Sequence, residues 1–278
     1  MDATLEIGPW IASPVPFKTS QPAMPLSPQV VHLFQVFREQ ISTWMDIFDH
    51  GCSYQREITR RAMFSELLQK CVCAFTAKHL SLLASGDILA PIATDYYTQA
   101  LSLLIEELKN PKPPGCALSA IMMLSSYEVL SAQGQEHQRH YEGALTLIRL
   151  LEVNAQSGGL HRANFWIWVR HDLIIAIADR TPLKMPSKNW NIVWNDDENR
   201  EDMLGRQILW IVGRAVDWIY GKGSRAEYNS ILRGAEKWHS GRDEAFRGLK
   251  YGPRLENGLS NIYFAVPAAG MSDIFITA

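Results

Sequence analysis

Histidine and aspartate side chains on predicted helices are the residues of this chain best suited to metal chemistry. His171 and Asp172 are adjacent on one helix. His140 lies upstream of them and Asp217 lies downstream. His and Asp ligands from separate helices can bind divalent metals that activate water for hydrolysis. Because the His-Asp dipeptide is common, we favour the interpretation in which Asp172 pairs with Arg170 or with a neighbouring helix.

Two further motifs have a structural interpretation. His137 and His140 could form one edge of a metal site, but the segment around them is polar and no third ligand is evident. We therefore predict that both are surface histidines. The segment Gly221-Lys-Gly-Ser224 resembles the end of a phosphate-binding loop, but it follows a helix and lacks the earlier glycine. It is predicted to be a helix C-terminus followed by a turn.

The four cysteines predict free thiols and no metal site. Cys71 and Cys73 are separated by one residue, fewer than the two to four that zinc sites use. They also point to different sides of a helix. Cys52 and Cys116 have no cysteine close to them in the sequence. We expect four reduced, mostly buried thiols in an intracellular protein. We predict no catalytic residues, no metal ligands and no cofactor, and leave any cofactor-binding residues unassigned.

Tryptophan is concentrated in one part of the chain, since seven of the nine lie in residues 166–238. Four of them lie at the core spacing of helices and are predicted to pack in the interior: Trp166, Trp168, Trp210 and Trp218. Trp190 and Trp194 lie on a predicted loop, where they could line a ligand pocket or a partner surface. Packing is the preferred interpretation for these two as well.

The composition excludes several classes of protein. Hydrophobic residues make up 47% of the chain and charged residues 20%, which is typical of a globular protein and not of a disordered one. The 27 Lys and Arg and 29 Asp and Glu give a net charge of −2, which excludes a protein that coats nucleic acid. Residues 203–254 are mildly basic, with ten Lys and Arg against five Asp and Glu. Neither a secretory signal nor a membrane-spanning apolar run is expected.

The elements that must position these residues are helices. Apolar residues recur every three or four positions, and the segments end at Gly and Pro clusters. The predicted helices cover 28–50, 55–83, 96–109, 117–130, 135–152, 164–179, 203–220 and 226–238. No alternating strand pattern is evident. The sequence therefore predicts an all-α fold of about nine to ten helices, packed as consecutive antiparallel pairs.

The chain divides into three parts by composition. Six of its fourteen prolines lie in the first 28 residues, which predicts an extended arm over residues 1–27. Ser27 is a good N-cap and Pro28 suits the first helical position, so the ordered domain should begin there. That domain is predicted to cover residues 28–267. Residues 268–278 are predicted to be an irregular tail.

Several phrases, taken in order, resemble the regulatory domain of fungal binuclear zinc-cluster transcription factors. They are SGGLHRANFWIWVRHDLIIAIADRTPLKMP over 157–186, RHYEGALTLIR over 139–149, AKHL over 77–80 and LGRQILWIVGRAVDWIYG over 204–221. The likeness covers residues 55–267. It implies an all-α regulatory domain of the type that follows a six-cysteine DNA-binding cluster.

The chain departs from this family pattern at both ends. Residues 1–50 contain no cysteine, and no Cys-x-x-Cys occurs, so DNA binding by this chain is not carried over from the resemblance. The family domain continues through further helices after the region around residues 264–269. We expect a shortened gene or an incomplete reading frame to explain the atypical end.

The resemblance implies a transcriptional regulator or co-regulator and not an enzyme. Such a protein is expected in the nucleus, with a fraction also in the cytoplasm. Its expected partners are proteins of the transcription machinery or a DNA-binding regulator, together with a small-molecule effector. The setting it implies is a fungal secondary-metabolite gene cluster. Two alternatives stay open: a helical adaptor without a transcriptional role, and a metal-dependent HD-type phosphohydrolase that uses His171 and Asp172.

Overall fold

The computed structural model describes residues 23–83, 87–109, 116–131, 137–194, 200–253 and 260–277, without the side chains of residues 137–139 and 273–277. The described part of the chain is mainly helical, which confirms the all-α prediction. The helices are α1 Pro28–Val36, α2 Ser42–Met45, α3 Thr59–Arg61, α4 Glu66–Ser81, α5 Leu89–Lys109, α6 Ala117–Ser131, α7 His137–Leu150, α8 Gly159–Asp179, α9 Arg200–Tyr220, α10 Arg225–Gly241 and α11 Pro267–Thr277.

The start of α1 is as predicted. The hydroxyl of Ser27 accepts a hydrogen bond from the N–H of Val30 at 3.3 Å, and Pro28 is the first helical residue. An N-cap hydroxyl and a proline that needs no donor together satisfy the first turn of a helix. Residues 23–27 before it have no regular secondary structure. Most of the predicted arm, residues 1–22, lies outside the described residues.

The two long helices predicted in the N-terminal part are each interrupted. A π-helical segment, Phe37–Ile41, separates α1 from α2, and a second one, Tyr54–Ile58, precedes α3. Between Met45 and Tyr54 the chain turns, because side chains of the turn itself and of α9 bind its backbone, as described below. A new helix starts at α4, where the Ser65 hydroxyl accepts from the N–H of Leu68.

The centre of the fold is built from α4, α6 and α8. Helix α4 packs against α5 and α6, and α6 packs against α7 and α8. Every residue of α6 from Ala117 to Tyr127 is buried. Trp166 and Trp168 on α8 are 3% and 0% exposed, so the prediction that both belong to the core is confirmed.

The C-terminal part differs from the prediction in two places. Strand β1, Leu249–Tyr251, pairs antiparallel with β2, Asn261–Tyr263; strands of three residues are too short to show an alternating pattern. Residues 268–278 were predicted to be an irregular tail, but residues 268–277 belong to α11, which starts at Pro267 and packs on α9. Proline at the first helical position starts this helix. Its small residues Ala268 and Ala269 are buried there.

Consecutive helices pack on one another through most of the chain. Contacts join α4 to α5, α6 to α7, α8 to α9 and α9 to α10. In the described residues, no helix is both long and apolar enough to cross a bilayer. The division of the chain at residues 27 and 267 stays a prediction.

Candidate functional site

A turn over residues 46–55 connects the N-terminal helices and is bound by carboxylates along its length. Asp46 accepts from the backbone N–H of Tyr54 through one oxygen and from that of Gln55 through the other, both at 2.8 Å. Asp49 accepts from the N–H four residues later at 3.0 Å. Short aspartate side chains commonly close turns in this way. The turn thus replaces helical hydrogen bonds with bonds to its own side chains.

Helix α9 binds the same turn from the other side. Asp202 accepts from the N–H of His50 with both oxygens, at 2.9 and 2.8 Å. One helical turn later, Arg206 donates to the carbonyl of Phe48 through Nε at 3.1 Å and Nη2 at 2.8 Å, and to Asp202 at 3.3 Å. Arg206 is 2% exposed. A buried guanidinium that is hydrogen-bonded on several sides holds two segments in one geometry.

Helix α8 completes the contact. Arg170, also 2% exposed, donates to the carbonyl of Trp44 at 3.2 Å and lies 5.6 Å from the centroid of that indole ring. Burial lowers the pKa of Arg170 to about 10, so the side chain stays charged at neutral pH. The hydroxyl of Tyr54 donates to Asn164 at 2.6 Å. We call this group of six side chains the polar junction: Asp46, Asp49, Asn164, Arg170, Asp202 and Arg206.

The carboxylates of the polar junction influence one another. Burial raises the pKa of Asp46 to about 7, and the charges of Asp49 and Asp202 act in the same direction. Its two backbone donors act in the opposite direction. Burial also raises the pKa of Asp202, while Arg206 and the N–H of His50 oppose that shift. The charge of the junction therefore changes near neutral pH through Asp46.

A cleft of about 180 Å³ opens beside the polar junction. One wall consists of the 46–55 turn and the start of α9, including Glu201, and the other consists of residues 266–268 at the start of α11. The first wall is acidic and the second is apolar. Cys52 also lines the cleft, but burial raises the pKa of its thiol, which leaves it protonated and a poor nucleophile.

The predicted metal ligands have other partners. Asp172 accepts from the backbone N–H groups of residues 184–185 at 3.1 and 3.3 Å, and Asp217 accepts from the N–H of Ser187 at 2.6 Å. Both aspartates therefore fasten the loop that follows α8. The favoured pairing of Asp172 with Arg170 was wrong, because Arg170 turns toward the polar junction. The alternative pairing with a neighbouring helix has support: burial raises the pKa of Asp172, and a hydrogen bond from Tyr141 of α7 opposes that shift.

His140 and His171 take no part in the hydrogen bonds that Asp172 and Asp217 make with the loop after α8. The Nε2 atom of His140 lies 3.1 Å from a carboxylate oxygen of Glu128 and 3.1 Å from the hydroxyl of Tyr97. His140 is half-buried and not a surface residue as predicted, and the side chain of His137 lies outside the described residues. His171 is half-buried on α8. Within the described ranges, no three His, Cys, Asp or Glu side chains come together in a group that could hold a metal ion.

A comparison with protein-family models identifies the family of this chain. The model described as the fungal specific transcription factor domain matches residues 32–208, well over half of the chain. The matched stretch contains the whole polar junction and ends within α9. The chain belongs to this family. Searches with this chain found no matching curated protein and no matching solved structure.

Membership of the fungal specific transcription factor domain family confirms the recognition made from the sequence and gives the chain a role in transcription regulation. The phrases at 139–149 and 157–186 that carried the resemblance form α7, α8 and the loop after α8. Their function in the fold is structural: they supply the core tryptophans and the loop that Asp172 and Asp217 fasten.

The core tryptophans of this transcription factor domain pack as predicted, except for two on α9: Trp210 and Trp218 were predicted to lie in the interior but are only half-buried. Trp190 is 0% exposed, and its N–H donates to the carbonyl of Met185 at 3.0 Å. Gly213 of α9 faces it so closely that an added Cβ would lie 2.5 Å from the ring. Trp194 is half-buried and meets Trp210 edge to face, with centroids 6.0 Å apart.

The four cysteines are free thiols. Cys71 and Cys73 are buried, and burial raises the pKa of Cys73 to about 12, as expected for inert thiols.

The predicted turn after α9 is confirmed. Helix α9 ends at Tyr220, and Ser224 begins α10 in a capping box with Glu227. The segment between the two helices is therefore a turn and not a phosphate-binding loop.

Sequence reasoning missed the polar junction. The Asp202 and Arg206 side chains bind residues 152 and 158 positions away, respectively, and no local spacing announces such contacts. One signal was present: the dense group Asp46, Asp49 and Gly51 in the middle of an apolar helical pattern is typical of a turn.

Proposed function

We propose that the chain is a transcriptional regulator or co-regulator whose helical domain responds to a protein partner or a small-molecule effector, and that it acts as neither an enzyme nor a DNA-binding protein on its own. The observation that carries the proposal is the match of residues 32–208 to the fungal specific transcription factor domain. The net charge of −2 supports it, because autonomous DNA binding depends on many cationic contacts with phosphates.

The polar junction supplies a physical basis for a response. It joins three separate parts of the domain, the N-terminal helices, α8 and α9, through a small number of buried charged contacts. A ligand shifts an equilibrium only when it binds two states of a protein with different affinities. The cleft lies between the 46–55 turn, α9 and the start of α11, so an occupant would contact all three and favour one arrangement of them.

The setting of the regulator rests on the resemblance. We propose a nuclear protein, shared with the cytoplasm, that contacts the transcription machinery or a DNA-binding regulator. A fungal secondary-metabolite gene cluster is the setting that the resemblance favours. One alternative, a helical adaptor, would use the same fold for binding but would not change transcription.

A reporter assay separates the regulator from the adaptor. The full chain is fused to a heterologous DNA-binding domain and expressed in a fungal host that carries the matching reporter gene. We expect a several-fold change in reporter output relative to the DNA-binding domain alone. An unchanged output at equal nuclear protein levels would overturn the proposal and favour the adaptor.

A further inference from the structure

The outer side of α9 and α10 carries aromatic rings and arginines in alternation. Trp210, Arg214 and Trp218 recur every fourth residue and therefore follow one side of α9. The guanidinium of Arg214 lies 4.9 Å from the Trp210 ring centroid. The rings of Trp218 and Tyr228 are 5.1 Å apart, and Arg225 lies 5.0 Å from the Tyr228 centroid. We call these five residues the aromatic–arginine strip.

The carboxylates nearest to the strip are already engaged. Asp217 accepts from the N–H of Ser187, and Glu227 accepts from that of Ser224 at 2.7 Å. Arg214 donates to a serine hydroxyl, Ser230, at 3.1 Å. Among the described residues, neither arginine of the strip forms a salt bridge with a carboxylate. Their guanidinium edges are therefore available to bind carboxylates from another molecule.

Exposed apolar and cationic side chains surround the strip. Ile219 is 59% exposed and Leu232 is 43% exposed. Lys222 and Arg233 are exposed nearby. Residues 203–254 have twice as many basic as acidic residues, although the whole chain is negative. Tryptophan, tyrosine and arginine are also the residue types that dominate the energetics of protein interfaces.

We propose that the aromatic–arginine strip is the docking surface for an acidic amphipathic segment of a partner protein. The carboxylates of such a segment would pair with Arg214 and Arg225, and its apolar face would cover Ile219 and Leu232. This inference rests on the proposed regulatory function and names the chemical class of its partner. The strip lies after residue 208, so it is outside the stretch that the family model matches.

A nucleic acid fits this surface less well. Proteins that bind single strands stack bases on open aromatic faces. Here the guanidinium of Arg214 lies over the Trp210 ring and that of Arg225 lies over the Tyr228 ring, while Trp218 packs against Tyr228. An arginine therefore covers one side of the Trp210 ring and one side of the Tyr228 ring, and the strip offers guanidinium edges beside exposed apolar side chains.

The test measures binding of a labelled synthetic 15-residue peptide to the full chain by fluorescence anisotropy. The peptide has Asp and Glu on one helical face and Leu and Phe on the other; a second peptide carries Lys in place of the acids. We expect the acidic peptide to bind and the basic one not to bind. The double variant Arg214→Glu, Arg225→Glu should weaken binding at least tenfold. Arg214→Lys should weaken it less, because it keeps the charge and loses the planar fork.

A matched control has the same change in charge elsewhere. The double variant Arg38→Glu, Lys109→Glu replaces two exposed cations on other helices and should bind like the wild type. Thermal unfolding of each variant checks that the fold is intact. The inference is overturned if the wild type ignores the acidic peptide, if both double variants bind equally well, or if a single-stranded oligonucleotide binds more tightly than the peptide.

The reporter fusion distinguishes a failure of this inference from a failure of the proposed function. If the strip variant loses the peptide but its fusion changes transcription as the wild type does, the strip is not the regulatory docking surface and the inference falls. If the wild-type fusion leaves transcription unchanged while the peptide binds, the proposed function falls and the docking surface stands.

Discussion

The polar junction and the aromatic–arginine strip each place an arginine over a tryptophan ring, but in different environments. At the junction, Arg206 is 2% exposed, and its guanidinium lies 5.8 Å from the Trp166 ring centroid. At the strip, Arg214 lies 4.9 Å from the Trp210 ring and is partly open to solvent. Among the described residues, the buried arginine has a carbonyl and a carboxylate as hydrogen-bond partners, whereas the half-buried Arg214 donates to a hydroxyl.

The difference shows how burial decides what an arginine beside an aromatic ring does. Removing a buried charged partner leaves the other charge without solvent or counterion, so such a pair is hard to break. An exposed arginine over a ring contributes little to folding, about 0.5–1 kcal/mol, and keeps its donors for another molecule. The junction should therefore maintain the fold, and the strip should recognise a partner.

Replacing Arg206 should have the largest effect. Arg206→Met leaves Asp202 and the carbonyl of Phe48 buried without their guanidinium, and we expect the free energy of unfolding to fall by about 3–5 kcal/mol. Urea unfolding followed by circular dichroism measures the loss. The double variant Arg206→Met, Asp202→Leu should recover part of it, because no isolated charge remains. If Arg206→Met lowered the free energy of unfolding by less than about 1 kcal/mol, the junction would contribute as little to stability as the strip.

The pH dependence of stability should come next in size and should arise at the junction. The pKa of Asp46 is raised from 3.8 to about 7 in the folded chain, so the folded state binds more protons than the unfolded state between these values. Stability should therefore fall as the pH rises from about 4 to about 7, by up to about 4 kcal/mol from this group. Unfolding free energies measured at intervals across this range test the slope.

Two variants sharpen the pH comparison. Asp46→Asn should lower stability at acidic pH, since its amide cannot accept from both backbone donors, and should flatten the slope between pH 4 and 7. Glu142→Gln is the control: Lys184 holds the pKa of Glu142 below its usual value, so its contribution is lost only as the pH falls below that range. A slope that survives in Asp46→Asn would show that another group causes it.

The helices were predictable because their signals are local. Apolar spacing located α6, α7 and α8 to within about five residues, and the pair Ser27 and Pro28 marked the start of α1. These patterns depend on residues within one or two turns of each other. The tail was misjudged because the helix at residues 267–277 opens with small residues whose burial depends on packing against α9, a distant part of the sequence.

The candidate sites were much less predictable. The His-Asp dipeptide stood out in the sequence, yet Asp172 fastens a loop through backbone donors. The polar junction depends on contacts between residues about 150 positions apart, and no spacing rule reports those. Half of the strip was visible as a mildly basic, tryptophan-rich stretch, but only the fold brings Tyr228 of α10 against Trp218 of α9.

Alanine substitutions at two glycines compare the space available beside the polar junction with the space available on α10. A Cβ added at Gly205 would lie 2.4 Å from the ring of Phe48 in the 46–55 turn, whereas one added at Gly234 of α10 would lie 3.8 Å from Ile211. Gly205→Ala should therefore destabilise by about 1–3 kcal/mol through overpacking. Gly234→Ala should stabilise by up to about 1 kcal/mol through helix propensity. Thermal melts of the two variants decide, and equal shifts would mean that both sites tolerate repacking.

The smallest effect on folding is expected at the strip. Arg225→Ala removes an exposed guanidinium that touches the ring of Tyr228, so the free energy of unfolding should change by less than about 1 kcal/mol. The same variant should weaken binding of the acidic peptide several-fold, because a carboxylate partner is lost. Urea unfolding and peptide anisotropy on one preparation separate the two quantities. If Arg225→Ala instead cost about 3 kcal/mol and left binding unchanged, the strip would be a structural element like the junction, and burial would not be what separates the two.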